Sequence, residues 1–376
     1  MKTDTLPPIQ PQATGRFKPN YSFVNWIRFV AMVSIVYEHC MDLQVPGDTS
    51  HSTNANGHYV TNVSQALAMP WIVQPMKFGT LCFFIISGYL LGKHLLLQSS
   101  PWTYYKRRLQ VVGIPFIIAL GLFMSKHLGV FGLLIGRYDI SMLTPEFLKL
   151  KISVILFNSA YWFVFNFLIV LGLFLVFWRH SYKPIFGWIT GAIAVFYGIN
   201  IYFGWVEQRH NLVIAPYLFY LWLGVWLSRR QDVLDYLQRL PNRWLIGAVL
   251  LSLGLAISES RYLWSPDTIS PFNSLRLSNQ LFSVLVFVLL LRNDFSNRLT
   301  WINPRTESFG IYLYHLYFVQ IANAIFISLN ILTYSVNLSG LQLAAVTLIR
   351  FFVIYSSTLL FVKLINKTRF KWLFGN

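Results

Sequence analysis

Long apolar runs separated by short, often basic connectors set the pattern of this chain. Such runs occupy residues 22–41, 76–97, 110–125, 160–178, 184–204, 211–228, 242–258, 276–292, 309–331 and 341–363. Each approaches the ~20 residues with which a helix crosses a hydrocarbon core. The pattern predicts an all-α polytopic membrane protein with about ten transmembrane helices, a leading tail over 1–21, a membrane domain over 22–365 and a closing tail over 366–376. The end of the third run is the least defined, because the apolar stretch 128–136 follows it closely. Two connectors are long. The polar segment 42–75 reads either as a lid or acceptor-contacting loop or as a plain solvated connector. Within 126–159 the stretch SMLTPEFLKLKIS reads as a short interfacial helix. No internal repeat is evident.

Composition agrees with a membrane protein. The 376 residues are 55% hydrophobic and 11% charged, with 17% aromatics to anchor two wet–dry boundaries. Lys and Arg number 30 against 13 Asp and Glu, for a net charge of +17. In a soluble protein that surplus points to nucleic acid. Here the apolar runs separate the basic residues, which concentrate in alternate connectors, at Lys106-Arg107-Arg108, Arg229-Arg230 and Lys363–Lys371 among others. That alternation predicts both termini on the cytoplasmic side, no nucleic-acid partner, and basic residues lying against membrane lipids. The two cysteines, Cys40 and Cys82, make no disulfide framework and are expected to be free. The first run carries Arg28, Glu38 and His39 behind a polar tail, which is unlike a cleavable signal.

Ionisable groups inside a span are costly and are functional candidates by default. Arg28 and His39 are eleven residues apart on the first run, about three helical turns, so they share a stripe and stand roughly 16 Å apart along the axis. A guanidinium holds its charge and grips phosphate or carboxylate with a planar fork, whereas an imidazole takes and returns a proton near neutral pH. Spacing alone also fits two span-end residues snorkelling to opposite boundaries. Glu38 lies about 100° around the helix from His39 and reads as an orienting or boundary group. In the second run Ser87-Gly88 is a small pair that admits a close neighbour, helix or ligand. Lys93, His94, Lys106, Arg107 and Arg108 gather at the inner edge, where they serve either topology or an anionic headgroup or donor. Asn166 is the one strongly polar side chain of the fourth run and is expected to hydrogen-bond a neighbouring helix. His315, beside Tyr312 and Tyr314, reads equally as a satisfied core histidine or a channel group. Metal-ligand spacings, CxxC, GxGxxG, P-loop and GxSxG patterns are absent from the sequence, and no metal site is expected.

Five stretches in order, WIRFVAMVSIVYEHC, FFIISGYLL, YYKRRLQVVGIP, YWFVFNFLIVLGLF and FGIYLYHLYF, together resemble the membrane-bound acyltransferase-3 family over about 20–365. They are similar to its Arg-ten-residues-His first span, its FFxxSGY/F signature, its basic stretch ending in proline, its Trp-bearing fourth span and its late Tyr-x-x-His span. The resemblance implies an enzyme that moves an acyl group, commonly acetyl, from acyl-CoA to a hydroxyl of a carbohydrate, glycolipid or other exported acceptor. Acyl-CoA is then a co-substrate, with no resident cofactor, and the setting is the plasma membrane, in bacteria the inner one. It implies His39 as catalytic base with Glu38 beside it, and Arg28, Lys93, Arg107, Arg108, Ser87, Tyr312 and His315 on the donor side. The chain departs from the family at Gln110, Val111 and Val112, where another arginine commonly precedes the proline. The competing expectation is a transporter or flippase, which also uses intramembrane charge but commonly shows two related halves. The oligomeric state stays open.

Overall fold

The computed structural model describes residues 22–40, 63–96, 100–128, 144–264, 271–329 and 338–376. Among them the secondary structure is helical, with no β-strand. That follows from the sequence: in hydrocarbon every backbone N–H and C=O needs a partner inside its own segment, which a helix supplies whatever the side-chain propensities. The first helices are α1 (Ser22–His39), α2 (Val63–Val73), α3 (Gly79–Leu96), α4 (Pro101–Arg108) and α5 (Ile114–His127). A 3₁₀ turn, Gln74–Met76, leads from α2 toward α3, and a π-helical turn, Leu109–Gly113, joins α4 to α5. Next come α6 (Pro145–Phe157), α7 (Trp162–Val176), α8 (Pro184–Phe203) and α9 (Tyr217–Leu227). The last are α10 (Gln231–Arg239), α11 (Asn242–Tyr262), α12 (Leu277–Arg292), α13 (Pro304–Ser328) and α14 (Gly340–Asn366).

Local chemistry marks many of these ends. Proline, whose fixed φ and missing N–H suit a first helical position, opens α4, α6, α8 and α13. Gly204 ends α8 at φ +65°, the left-handed conformation that a residue without Cβ adopts freely. Ser339 and Gln342 close a reciprocal capping box on α14.

Each of the ten apolar runs carries a helix. Among the described residues, six helical stretches are long and apolar enough to cross a membrane: Leu67–His94, Pro101–Lys126, Pro184–Phe203, Asn242–Tyr262, Pro304–Phe326 and Gly340–Asn366. The pair α6 and α7, bent by 78°, makes a seventh if it counts as one broken span. The chain is thus a multi-pass membrane protein. Helices α9 and α12 are apolar but shorter. The stretch near 141–153, expected to form a short interfacial helix, carries the start of α6, which pairs with α7 in the bent span, whereas most of the polar connector 42–75 lies outside the described residues, as does the tail 1–21.

Helix α1 holds the bundle together. Its first half packs Phe23, Val24, Ile27 and Ala31 into one apolar cluster with α3, α9 and α12. Its second half packs Met32, Ile35, Val36 and Tyr37 into another with α13 and α14. The closest helix contact is α3 on α9. A Cβ on Gly88 would meet the Leu221 carbonyl, and one on Gly224 would meet the Ile85 carbonyl, so only glycine lets these backbones touch. Arg276, at the start of the eighth apolar run, is fully buried. It donates to the Ala256 and Asn273 carbonyls and to Gln74, bracing α11, α12 and the 3₁₀ turn. Beyond α14, Arg369–Phe374 forms a 3₁₀ turn that seats Phe374 against Tyr314 and Phe361. Cys40 and Cys82 are both buried and are not joined to each other.

These glycines give a paired prediction. G224A is expected to lower the melting temperature in detergent by several degrees, because the new methyl forces α9 off α3. G254A, at a position with nothing within 4 Å, is expected to be neutral or slightly stabilising, since alanine is the better helix former. Thermal unfolding of the two purified variants beside the parent checks both.

Candidate active site

Helices α1 and α13 run in the same direction, side by side. Phe29 meets Trp301 just ahead of α13 with ring centroids 5.8 Å apart. Arg28 and Arg305 share a cavity wall, and His39 meets His315 at 5.3 Å between centroids. Residues eleven apart on α1 therefore face residues ten apart on α13, as two parallel helices require. The stripe predicted for Arg28 and His39 is an interhelical seam with one group at each end.

A cavity of about 180 Å³ opens at the Arg28 end. Arg28 and Met32 of α1, Ile86 and Ser87 of α3, and Tyr104 and Arg108 of α4 contribute to its walls. Val111 and Val112 of the π turn, Phe163 and Phe167 of α7, and Arg305, Ser308 and Tyr312 of α13 complete most of the rest, with Phe374 and Gly375 at the rim. Three guanidiniums thus line an otherwise mostly apolar space, and none of the lining residues is acidic. Neutral groups aim two of them. Arg28 donates to the Asn25 side-chain oxygen at 3.3 Å. Arg108 lies 5.0 Å over the Tyr104 ring and donates from Nε to its hydroxyl at 2.9 Å.

Some expected donor-side residues are elsewhere. Lys93 sits over the Tyr89 ring at 5.5 Å, and neither it nor Arg107, which is exposed, lines the cavity. On a helix, residues one apart diverge by about 100°, so Arg107 and Arg108 cannot face the same space. The small pair splits likewise: Ser87 lines the cavity, and Gly88 serves the contact with α9.

The cavity stops at Tyr312. The Tyr312 hydroxyl donates to the Ala160 carbonyl, and its ring meets Phe163 at 5.6 Å and His315 at 6.0 Å. His315 Nδ1 lies 2.7 Å from the Tyr312 carbonyl. A carbonyl only accepts, so Nδ1 carries the proton. Beyond His315 is His39. Ring contacts run from Tyr312 at the cavity to His315 and on to His39. Glu38 is ion-paired with the buried Lys77 just before α3, and that pair ties the end of α1 to the start of α3.

A further imidazole, overlooked in the sequence because it lies in a connector, belongs to the same end. His210 packs edge-on against Trp162 at 5.2 Å, and its carbonyl accepts from the Tyr217 hydroxyl at 2.9 Å. Burial, with smaller contributions from Lys77 and His39, pushes His210 well below the usual imidazole range, so it is neutral at neutral pH. The connector that carries it is pinned throughout. Asn166 donates to the Asn211 and Val213 carbonyls at 3.0 and 3.3 Å, so it serves this loop rather than a neighbouring helix. Asn200 exchanges hydrogen bonds with the Val206 backbone, Gln208 reaches back to Ile201, and Asn211 holds the Phe157 carbonyl. Hydrogen bonds from Arg209 hold the Glu207 carboxyl down at about 2, so this exposed pair stays ionised through the physiological range. Among the described residues no group of His, Cys, Asp and Glu is arranged to hold a metal.

The pinning is testable at Asn166, which is buried. N166A leaves two loop carbonyls without their donor and is expected to cost about 1–3 kcal/mol, read as a lower melting temperature in detergent. N166D, which keeps the shape but loses the donor, is expected to fall at least as far.

The family model of an acyltransferase domain, acyltransferase-3, matches residues 21–367, which contain every arginine and histidine of this site. No curated protein and no solved structure matches the chain. With the match running from the start of α1 to the end of α14, the chain belongs to the acyltransferase-3 family and is a membrane acyltransferase.

Proposed function

We propose that this acyltransferase takes an acyl group, acetyl first among candidates, from acyl-CoA on the cytoplasmic side. It passes the group to a hydroxyl of a carbohydrate, glycolipid or other exported acceptor at the opposite face. The observation that carries this reading is the seam between α1 and α13, with a cation-lined cavity at one end and paired imidazoles at the other. A polyanionic carrier with a narrow uncharged arm has that polarity: phosphates at the guanidiniums, thioester toward the histidines. In this reading the ten helical runs are ten spans, both termini are cytoplasmic, and the membrane is the plasma membrane, the inner one if the source is bacterial. The alternate placement of Lys and Arg supports that orientation.

Arg28 and Arg108 hold the donor phosphates by charge-assisted hydrogen bonds. Ser87 and Tyr312 line the way for the arm, and His315 backs Tyr312. His39 accepts the proton of the acceptor hydroxyl as its oxygen attacks the thioester carbonyl. The C–S bond breaks, the new ester C–O bond remains, and the proton on His39 passes to the departing thiolate to give free CoA. Glu38, held by Lys77, fixes the end of α1 that carries His39.

Replacing His39 by Ala is expected to cut acyl transfer by about 10²–10⁴-fold while leaving acetyl-CoA affinity near the parent value. R28A is expected to weaken acetyl-CoA binding first. The checks are ester content of surface glycans and lipids in cells carrying each variant, by mass spectrometry and NMR, and acetyl-CoA titration of the purified proteins. Parent-level ester in H39A cells would remove the base, and unchanged affinity in R28A would remove the anion seat.

A further inference from the structure

The basic stretch of α4 ends in a π turn that offers valines, not arginine, to the donor cavity. Val111 and Val112 line it, while Gln110 is exposed and does not. Another wall is furnished by the first turn of α13. There Arg305 lines the same space as Arg28 and Arg108, close enough for its charge to be felt at Arg28. Three cations are thus brought to one cavity by three helices that are far apart in sequence.

Like charges sharing a partly dry space repel one another, and nothing in the lining offsets them. The hydrogen-bond partners of Arg28 and Arg108, Asn25 and Tyr104, are neutral; they aim the guanidiniums without neutralising them. The nearest carboxylate on α13, Glu307, is committed elsewhere. It accepts from the Asn303 backbone N–H at 3.1 Å and lies 3.6 Å from Lys363, outside the cavity. The arrangement is left with an electrostatic deficit that a ligand carrying more than one negative charge removes.

We propose that Arg305 is the third phosphate-binding guanidinium of the donor seat, in the same cavity that Val111 and Val112 line, so that the seat selects a phosphorylated acyl carrier over a bare thioester. This rests on the acyl-CoA reading above. Arg305 lines the cavity and is itself exposed, which suits a group that meets the charged end of the carrier first. The guanidinium fork also sets it apart from lysine, which presents a single point of charge.

The test is a titration of purified parent, R305A and R305K in detergent with acetyl-CoA and with S-acetylpantetheine, which has the thioester arm but no phosphate. R305A is expected to bind acetyl-CoA about tenfold or more weakly, and R305K to fall between it and the parent. S-acetylpantetheine is expected to bind all three alike. Parent-like acetyl-CoA affinity in R305A overturns the proposal, and so does an equal loss for S-acetylpantetheine, which marks a change of cavity shape. A parent protein that binds no acetyl-CoA sinks the donor reading and this proposal together. Parent binding with an unaffected R305A sinks the proposal alone.

Discussion

A guanidinium inside an apolar bundle must be solvated by something, and the way this protein meets that demand organises the rest of it. Arg28 sits one and a half turns into α1 and cannot be neutralised by losing its proton near physiological pH. No acidic side chain lines its cavity. An amide, a phenol and two further guanidiniums surround the space instead. That is a poor way to stabilise a fold and a good way to hold an anion ready. The contrast with Arg276 makes the point. That side chain is fully buried and bonded to two carbonyls and a glutamine, with its donors spent on the protein itself. The same residue type is a brace in one place and a waiting ligand site in the other, and partner chemistry tells them apart.

The seam that carries Arg28 depends on backbones approaching very closely. Gly79 sits against Ser34 and the Ala31 carbonyl of α1, and Gly88 and Gly224 bring α3 against α9. With α3 drawn in on both sides, Ser87 is left facing the cavity. Lipid tails offer helices no hydrophobic reason to associate, so this contact rests on small residues, and they help set the shape of the cavity. Packing and function are here adjacent letters of one motif.

Much of this was legible in one dimension. Every apolar run became a helix, and the eleven-residue spacing of Arg28 and His39 placed both on one seam, because helical periodicity turns spacing into direction. What the sequence hid were relations between helices. Arg305 read as one more topogenic cation, and nothing local said that it shares a space with Arg28. His210 looked like a loop residue, and Asn166 like an interhelical bond. Only the fold shows the amide holding the loop and the loop holding the imidazole beside Trp162. The opposite error arose for Lys93 and Arg107. Clustering in sequence suggested clustering in space, yet neighbours on a helix point apart. The family resemblance located the motifs but offered no candidate for the arginine missing near 110–112, since the proposed replacement, Arg305, lies on another helix.

The gap between the cavity and His39 has a mechanistic consequence. Tyr312 closes the cavity with its ring on Phe163 and its hydroxyl on the Ala160 carbonyl. In the proposed reaction, a thioester entering from the arginine end meets that aromatic contact on its way to His39. The binding energy of a charged carrier at the guanidiniums is then available to drive the opening, since a ligand shifts such an equilibrium by its preference for the open state. Acetylpantetheine, which lacks the anchoring phosphates, should on this argument be both a weak ligand and a poor donor. The two losses have one cause, the missing grip at the arginine end.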